Sequence, residues 1–417
     1  MSTIEPVFRI IPTVQNYDWG KKGKDSKVAE FASGAGILGF TLNQSVPYAE
    51  LWMGTHVKSP SGVVDRKQNL AQILTEIPGL IGDQVSRRFD TTNGNLPFLF
   101  KVLAIGKALS IQTHPDKKTA EKLHAEQPTV YTDPNHKPEM ALALTDFKAL
   151  CGFMPIARVA EYVRTVPEFN ALIDPSIATE FLNCTNLSEP EQKAVLKKLF
   201  AALMTADITN IAIQLRTLVA RYQQGGQKPL EEDVKDLVLI LNEQYPGDVG
   251  VFCAFMLNYV QMTPGQAIFL GAGEPHAYVQ GDIMECMANS DNVIRAGLTP
   301  KAKDIPNLVS VLTYTASDWQ KHMVNPIDIT LRTRKYDPPI PDFTVLQVNT
   351  QKGETETHEA ISGPSIAIAT EGFGQVSWSG GKLDLQAGSV IFVGADTKID
   401  ITAGNSNLVV FRAYVTA

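Results

Sequence analysis

In the stretch LSIQTHPDKK, residues 109–118, Gln112 and His114 stand two apart, so in an extended chain both side chains leave from one face. Ser110 shares that face. Glu139, opening EMALAL, and His276, following FLGAGEP, are the acids and bases that other strands of one barrel mouth could bring to them. A mixed nitrogen and oxygen set suits zinc or another first-row divalent ion. With one carboxylate among neutral donors, the ion would keep net positive charge and remain a Lewis acid. Taken singly, each histidine is more often a hydrogen-bonded core or surface residue. Spacing alone leaves both readings open.

A second constellation is basic: Lys101 inside FLFKVLA, His136 and Lys137 in DPNHKPE, and Arg295 and Lys301 in NVIRAGLTPK. Lys101 is the least expected, because a buried ammonium needs an anionic partner. An internal pair with Glu50 or Glu285 and an anionic substrate serve equally. Convergent lysines and an arginine beside a metal would describe a pocket for a phosphorylated small molecule. Trp19 in NYDWG and Trp52 in AELWMGTH are turn or core anchors by default, and either could wall a sugar site. GxxxxGK[ST], GxGxxG and GxSxG patterns are absent, which removes the usual support for nucleotide hydrolysis, dinucleotide chemistry and serine hydrolysis.

The elements that must position these residues differ along the chain. A length of 417 residues implies two or three packed units. Residues 1–154 read as strand-rich, with LPFLFKVLAI, ALSIQTH and PEMALALTDFKAL as strands and DKKTAEKLHAEQ as a helix capped by Asp116. Residues 155–250 read as helical: Ser188 and Glu191 form a capping box, and Leu196, Leu199, Phe200 and Leu203 make an apolar stripe, as do Val234, Leu237, Val238 and Leu241. Strands resume from GVFCAFMLNYV and complete the first barrel over 251–325. After the hinge DPPIPDF, residues 326–417 are again short strands with glycine turns. PGQAIFLGAGEPH and AGSVIFVGADTKI share a pattern, so the β architecture is expected twice, with Ile399 where the first copy has His276.

Composition sets limits on partners. The chain is 44% hydrophobic and 19% charged, with net charge −7 and no charged tail, which argues against nucleic acid or a membrane surface as partner. No stretch reaches the roughly 20 apolar residues of a membrane span, and the first residues do not have the form of a secretory signal. A cytoplasmic protein is expected. Cys151, Cys184, Cys253 and Cys286 form no CxxC pair and read as reduced, buried hydrophobes. Asn43, Asn183 and Asn186 lie in N-x-[ST] triplets, which are read as chance matches.

The stretches YDWG, YAELWMGTH, LPFLFKVLAIGKALSIQTHPDK, NHKPEMALALTDFKALCGF and GEPHAYVQGDIMECMANSDNVIRAGLTPK closely resemble the type I mannose-6-phosphate isomerases of fungi and animals. They are long, ordered and spread over residues 17 to 315. The resemblance implies a mainly β protein of cupin jelly-roll barrels, the first catalytic and the C-terminal one degenerate, with a helical insertion. It implies one zinc ion per chain, held by Gln112, His114, Glu139 and His276. Arg295 matches the residue designated catalytic, and Lys137, His136, Glu285, Asp291 and Lys101 match others of the active site. The implied reaction interconverts D-mannose 6-phosphate and D-fructose 6-phosphate, through a cis-enediolate, and feeds GDP-mannose synthesis. Lys137 is then the candidate base, His136 the candidate for ring opening and Arg295 the counter-charge for the enediolate. Lys101, Ser110, Lys301, Trp19 and Glu50 are the candidate substrate-binding residues, and a monomer is expected. The competing readings are a metal-dependent cupin oxygenase and a non-catalytic cupin that binds sugar phosphate.

Overall fold

The computed structural model describes residues 4–417. LPFLFKVLAI forms the strand Phe98–Ile105, whose eight residues are all buried. The missing alternation marks a strand covered on both faces. It pairs antiparallel with Glu50–Met53 on one edge and with the long strand His276–Ala288 on the other.

That long strand organises the first barrel. Its first residues pair with Phe147–Phe153, and His276 lies opposite Gln112 of Ile111–Thr113. Residues 283–287 pair instead with Glu139–Ala143. The exchange of partners falls at Gly281, where φ is 121° and a Cβ would come within 2.6 Å of the Asp146 carbonyl oxygen. Only glycine accommodates that bend. A register shift opposite Lys148 and Ala149 changes the strand's parity. Tyr278 before it and Glu285 after it therefore reach the same cavity, although they are an odd number of residues apart.

Helices follow where the apolar stripes demand them. Asp116 caps Lys117–Glu126 by accepting from Thr119 N at 2.7 Å, and the Glu191 carboxylate accepts from Ser188 N at 2.9 Å at the start of Glu189–Met204. Leu196, Leu199, Phe200 and Leu203 join Leu237, Val238 and Leu241 in one core, which continues into Ile111 and Leu150 of the barrel. The helical segment is thus packed directly on the strand that carries Gln112. Arg221 locks it internally with paired bonds to Glu168 and Glu231. One expectation fails here: residues 251–255, read as strand, lie in the 3-10 helix Val249–Phe255, every residue of which is buried. A short apolar run does not distinguish a buried strand from a buried helix.

The C-terminal section builds a second pair of sheets, one of eight strands and one of four, closed over Val348, Val376, Ile391, Ile399 and Val410. Its larger sheet takes in Val7–Ile11, which pairs with Val390–Val393. The first strand of the chain therefore crosses the division expected at residue 326. The repeated pattern has a structural counterpart: Ala267–Leu270 is followed by a strand beginning at His276, and Val390–Val393 by one beginning at Ile399. Among the described residues no helix is long and apolar enough to cross a membrane, and the four cysteines are buried and unpaired.

Beside Ile399, in strand register, lies His358. Its Nδ1 is 3.1 Å from Nη1 of the fully buried Arg412, and burial, then the guanidinium, pushes its pKa down to about 3. An unfolded histidine titrates near 6.5. As pH falls below about 6.5 the unfolded chain gains a proton that the native state refuses, so stability declines by up to about 1.4 kcal/mol per pH unit until roughly pH 3. His114 and His322, each pushed down to about 4 by burial, act in the same direction. Denaturant midpoints of His358→Gln should accordingly fall less steeply than those of the native protein between pH 6.5 and 4. Parallel slopes would refute this account.

Candidate metal centre

His114 and His276 are both fully buried, with ring centroids 5.1 Å apart. His114 Nδ1 meets the Asn292 carbonyl oxygen at 2.5 Å and His276 Nδ1 meets that of Glu274 at 2.9 Å. A carbonyl only accepts, so each ring carries its proton on Nδ1 and presents a lone pair at Nε2. Both Nε2 atoms are buried without a hydrogen-bond partner. They face the carboxylate of Glu139, at 3.3 Å from Oε1 and 3.4 Å from Oε2. Two lone pairs and a carboxylate converging in a buried space cannot satisfy one another, whereas a cation satisfies all three. The three ligand atoms lie within 4.8 Å of one another. Gln112 lies directly opposite His276 in the sheet and lines the same cavity. The donor set fits zinc: two imidazole nitrogens, one carboxylate and one amide oxygen.

Electrostatics agree with a cation site. Burial pushes the His114 pKa down to about 4, and Lys137 adds to this against the opposing Glu139, so the ring is neutral. Burial would raise the Glu139 carboxyl, but the Lys137 ammonium holds it well below the usual range. Lys137 Nζ is 3.2 Å from Glu139 Oε1. Tyr278 Oη donates to Glu139 Oε2 at 3.5 Å. Tyr278 stands two residues after His276 on one strand, so the period of two could have found it; the sequence reading did not use it.

Glu139 and Gln112 line a cavity of about 310 Å³, the lower end of the range for small-molecule sites. Arg295, directly opposite Gln112 in the sheet, lines it together with Ser110, Trp19 and Lys301. Among the described residues Arg295, Lys301 and Lys107 have no carboxylate within 4.0 Å. Lys107 was not anticipated; it lines the cavity and its Nζ lies 4.4 Å from the Tyr245 ring centroid. No motif signals it, because the ring beneath it comes from the distant helical segment.

Lys101, His136, Asp291 and Trp52 each have protein partners of their own. Lys101 is committed to an internal pair: Nζ lies 3.2 Å from Glu285 Oε2 and 3.4 Å from Glu50 Oε2, and 4.9 Å from the Trp52 ring centroid. Burial opposes its charge, but the two carboxylates outweigh this and raise its pKa. A lysine so neutralised adds little to anion binding. His136 lines an adjoining cavity of about 760 Å³, where its Nε2 meets Asp342 Oδ1 at 2.7 Å. Lys137 faces the metal cluster and His136 does not. Asp291 lines that second cavity too, paired with Lys58 at 2.7 Å and His56 at 3.3 Å. Trp52 packs behind Lys101 rather than on the metal cavity.

A β-barrel with a helical insertion, holding a buried His–Glu–His cluster beside a glutamine, defines a cupin-like fold with a site that could hold a metal. Comparison with known proteins narrows this. Family models described as phosphomannose isomerase type I match three parts of the chain: the catalytic domain at residues 7–156, the helical insertion domain at 172–257 and the C-terminal part at 336–381. The mannose-6-phosphate isomerase of Cryptococcus neoformans var. neoformans serotype D is 46% identical, over 99% of each chain. That of Saccharomyces cerevisiae is 42% identical over 98% of each. Among solved structures, mannose 6-phosphate isomerase from Salmonella typhimurium, bound to its substrate (f6p) and zinc, superposes with a TM-score of 0.83 at 30% identity, covering 99% of this chain and 100% of that one. The chain belongs to the type I phosphomannose isomerases and is an enzyme of that family.

Proposed function

We propose that the protein interconverts D-mannose 6-phosphate and D-fructose 6-phosphate with one zinc ion per chain, held by Gln112, His114, Glu139 and His276. The observation that carries this is the pair of orphaned imidazole lone pairs facing Glu139, which lines a cavity where Arg295, Lys107 and Lys301 have no acidic partner among the described residues. When bound, the ion supplies a Lewis acid that polarises the sugar's oxygens. Lys301 is exposed at the cavity rim and Ser110 lies partway down, so the phosphate belongs at the mouth and C1 and C2 at the floor. Trp19 offers a ring face to the sugar, stacked on Tyr17 at 5.8 Å. Lys137, as the neutral amine, is assigned the proton taken from C2 of the open-chain aldose and returned to C1. Arg295 balances the negative charge that the cis-enediolate carries between these steps. Glu50 and Glu285 hold Lys101 charged at the cavity wall and so fix its shape.

Action as a monomer is part of this reading. The unpaired cysteines support a reducing compartment, the cytoplasm. Mannose 6-phosphate made here would feed GDP-mannose synthesis. Metal analysis of the purified protein, with a coupled assay for fructose 6-phosphate released from mannose 6-phosphate, tests the reading. Stoichiometric zinc and turnover are expected; zinc without turnover would overturn it.

A further inference from the structure

The helical segment ends at Gln244, and the next five residues touch both walls of the cavity. Gln244 Oε1 accepts from Ala108 N at 2.8 Å and Tyr245 Oη donates to the Ala108 carbonyl, two residues before Ser110. Asp248 acts on the opposite wall. Its Oδ1 accepts from Gly250 N at 2.7 Å, capping the following 3-10 helix, and also from Leu298 N at 2.8 Å. Oδ2 faces Thr299 N at 3.4 Å. Leu298 is a buried, bulky residue with φ of 54°, a left-handed conformation that such a side chain adopts only when its surroundings impose it. The strand irregularity just before it, between Arg295 and Gly297, shows where the chain leaves the sheet. Thr299 then accepts from Lys301 N at 3.1 Å. Gly250 and Gly297 make the approach possible, since a Cβ on Gly297 would lie 2.6 Å from Gly250 Cα and 3.0 Å from Asp248 Oδ1.

We propose that Asp248 is a positioning residue for the phosphate-facing wall: its carboxylate clamps the left-handed Leu298 and thereby places Thr299 and Lys301 over the cavity mouth. The inference rests on the isomerase reading for its substrate, though not for its geometry. It also gives the helical insertion a function, as the brace that joins the Ala108 and Leu298 loops across the cavity. A bare helix cap would need only the bond to Gly250.

Asp248→Ser and Asp248→Asn separate the two roles. Serine is long enough to cap Gly250 N but too short to reach Leu298 N, whereas asparagine retains the Oδ1 acceptor for both. In Asp248→Ser, zinc content should stay at the native value while KM for mannose 6-phosphate rises roughly tenfold, the loss expected for one bond at a binding wall. The fall in kcat should be smaller. Asp248→Asn should restore KM to about twice native or better. Hydrogen exchange of the Leu298 amide, measured on the zinc-loaded protein without substrate, should be fast in Asp248→Ser and slow in native and Asp248→Asn. Native-like exchange in a folded Asp248→Ser protein overturns the clamp whatever the catalytic result. Fast exchange with unchanged KM keeps the clamp but removes its role at the substrate, and so overturns the proposal. Failure of the native protein to turn over mannose 6-phosphate sinks the isomerase reading. In that case the dissociation constant for inorganic phosphate replaces KM, and equal values in native and Asp248→Ser overturn the positioning role.

Discussion

Arg295→Ala should lower kcat roughly a thousandfold while zinc stays near one ion per chain, because one preorganised counter-charge at a developing oxyanion contributes about this much. Arg295 sits on a strand directly opposite Gln112, and burial disfavours its charge without an acidic partner among the described residues to compensate. A guanidinium kept charged in that setting costs free energy in the resting protein, and an anionic transition state recovers it. It touches none of the ligand side chains through a hydrogen bond, so the metal should survive its removal. Arg295→Lys should recover part of the loss, since the charge returns but the planar fork does not. Steady-state kinetics beside metal analysis of the same preparations decides the matter. An unchanged kcat in Arg295→Ala would remove the residue from the reaction.

The second large effect concerns the metal itself. Replacing His276 by alanine should weaken zinc binding by at least the upper end of the 10–100-fold typical of losing a group that merely supports a ligand, about two orders of magnitude or more. Turnover should vanish with the metal. His276 Nε2 is one of two buried lone pairs aimed at Glu139, and its Nδ1 bond to the Glu274 carbonyl fixes that orientation in advance. Gln112→Ala should be milder, because an amide oxygen is a weaker donor than imidazole; zinc occupancy should fall and recover at raised zinc concentration. Titration with a competing chelator gives both affinities. Native zinc affinity in His276→Ala would show that the ion, if it binds, sits elsewhere.

How much of this was legible before folding depends on the range of the interaction. The Asp116 cap, the Ser188–Glu191 box and the stripe Leu196, Leu199, Phe200, Leu203 are set by neighbours within one or two turns, and each is found where spacing places it. Gln112 and His114 share a face for the same local reason. His136 shows the limit of such reasoning. It adjoins Lys137 in a stretch shared with a known family, but it lies in a different cavity, and its partner Asp342 comes from 206 residues away. The reading of Lys101 was left open between two partners, and only packing could choose, since Glu50 and Glu285 reach it from the strands on either side.

The sequence by itself determined the inventory: which donors exist, that they are too polar for the strands they occupy, and that their order matches one enzyme family. Tertiary structure decided which of them meet. The bend at Gly281 and the change of parity beside it bring Tyr278 and Glu285 to one cavity. The long reach of Asp248 fixes Leu298 from 50 residues away. These are contacts between segments far apart in the chain, and no periodicity encodes them, because their geometry exists only once two backbones have packed.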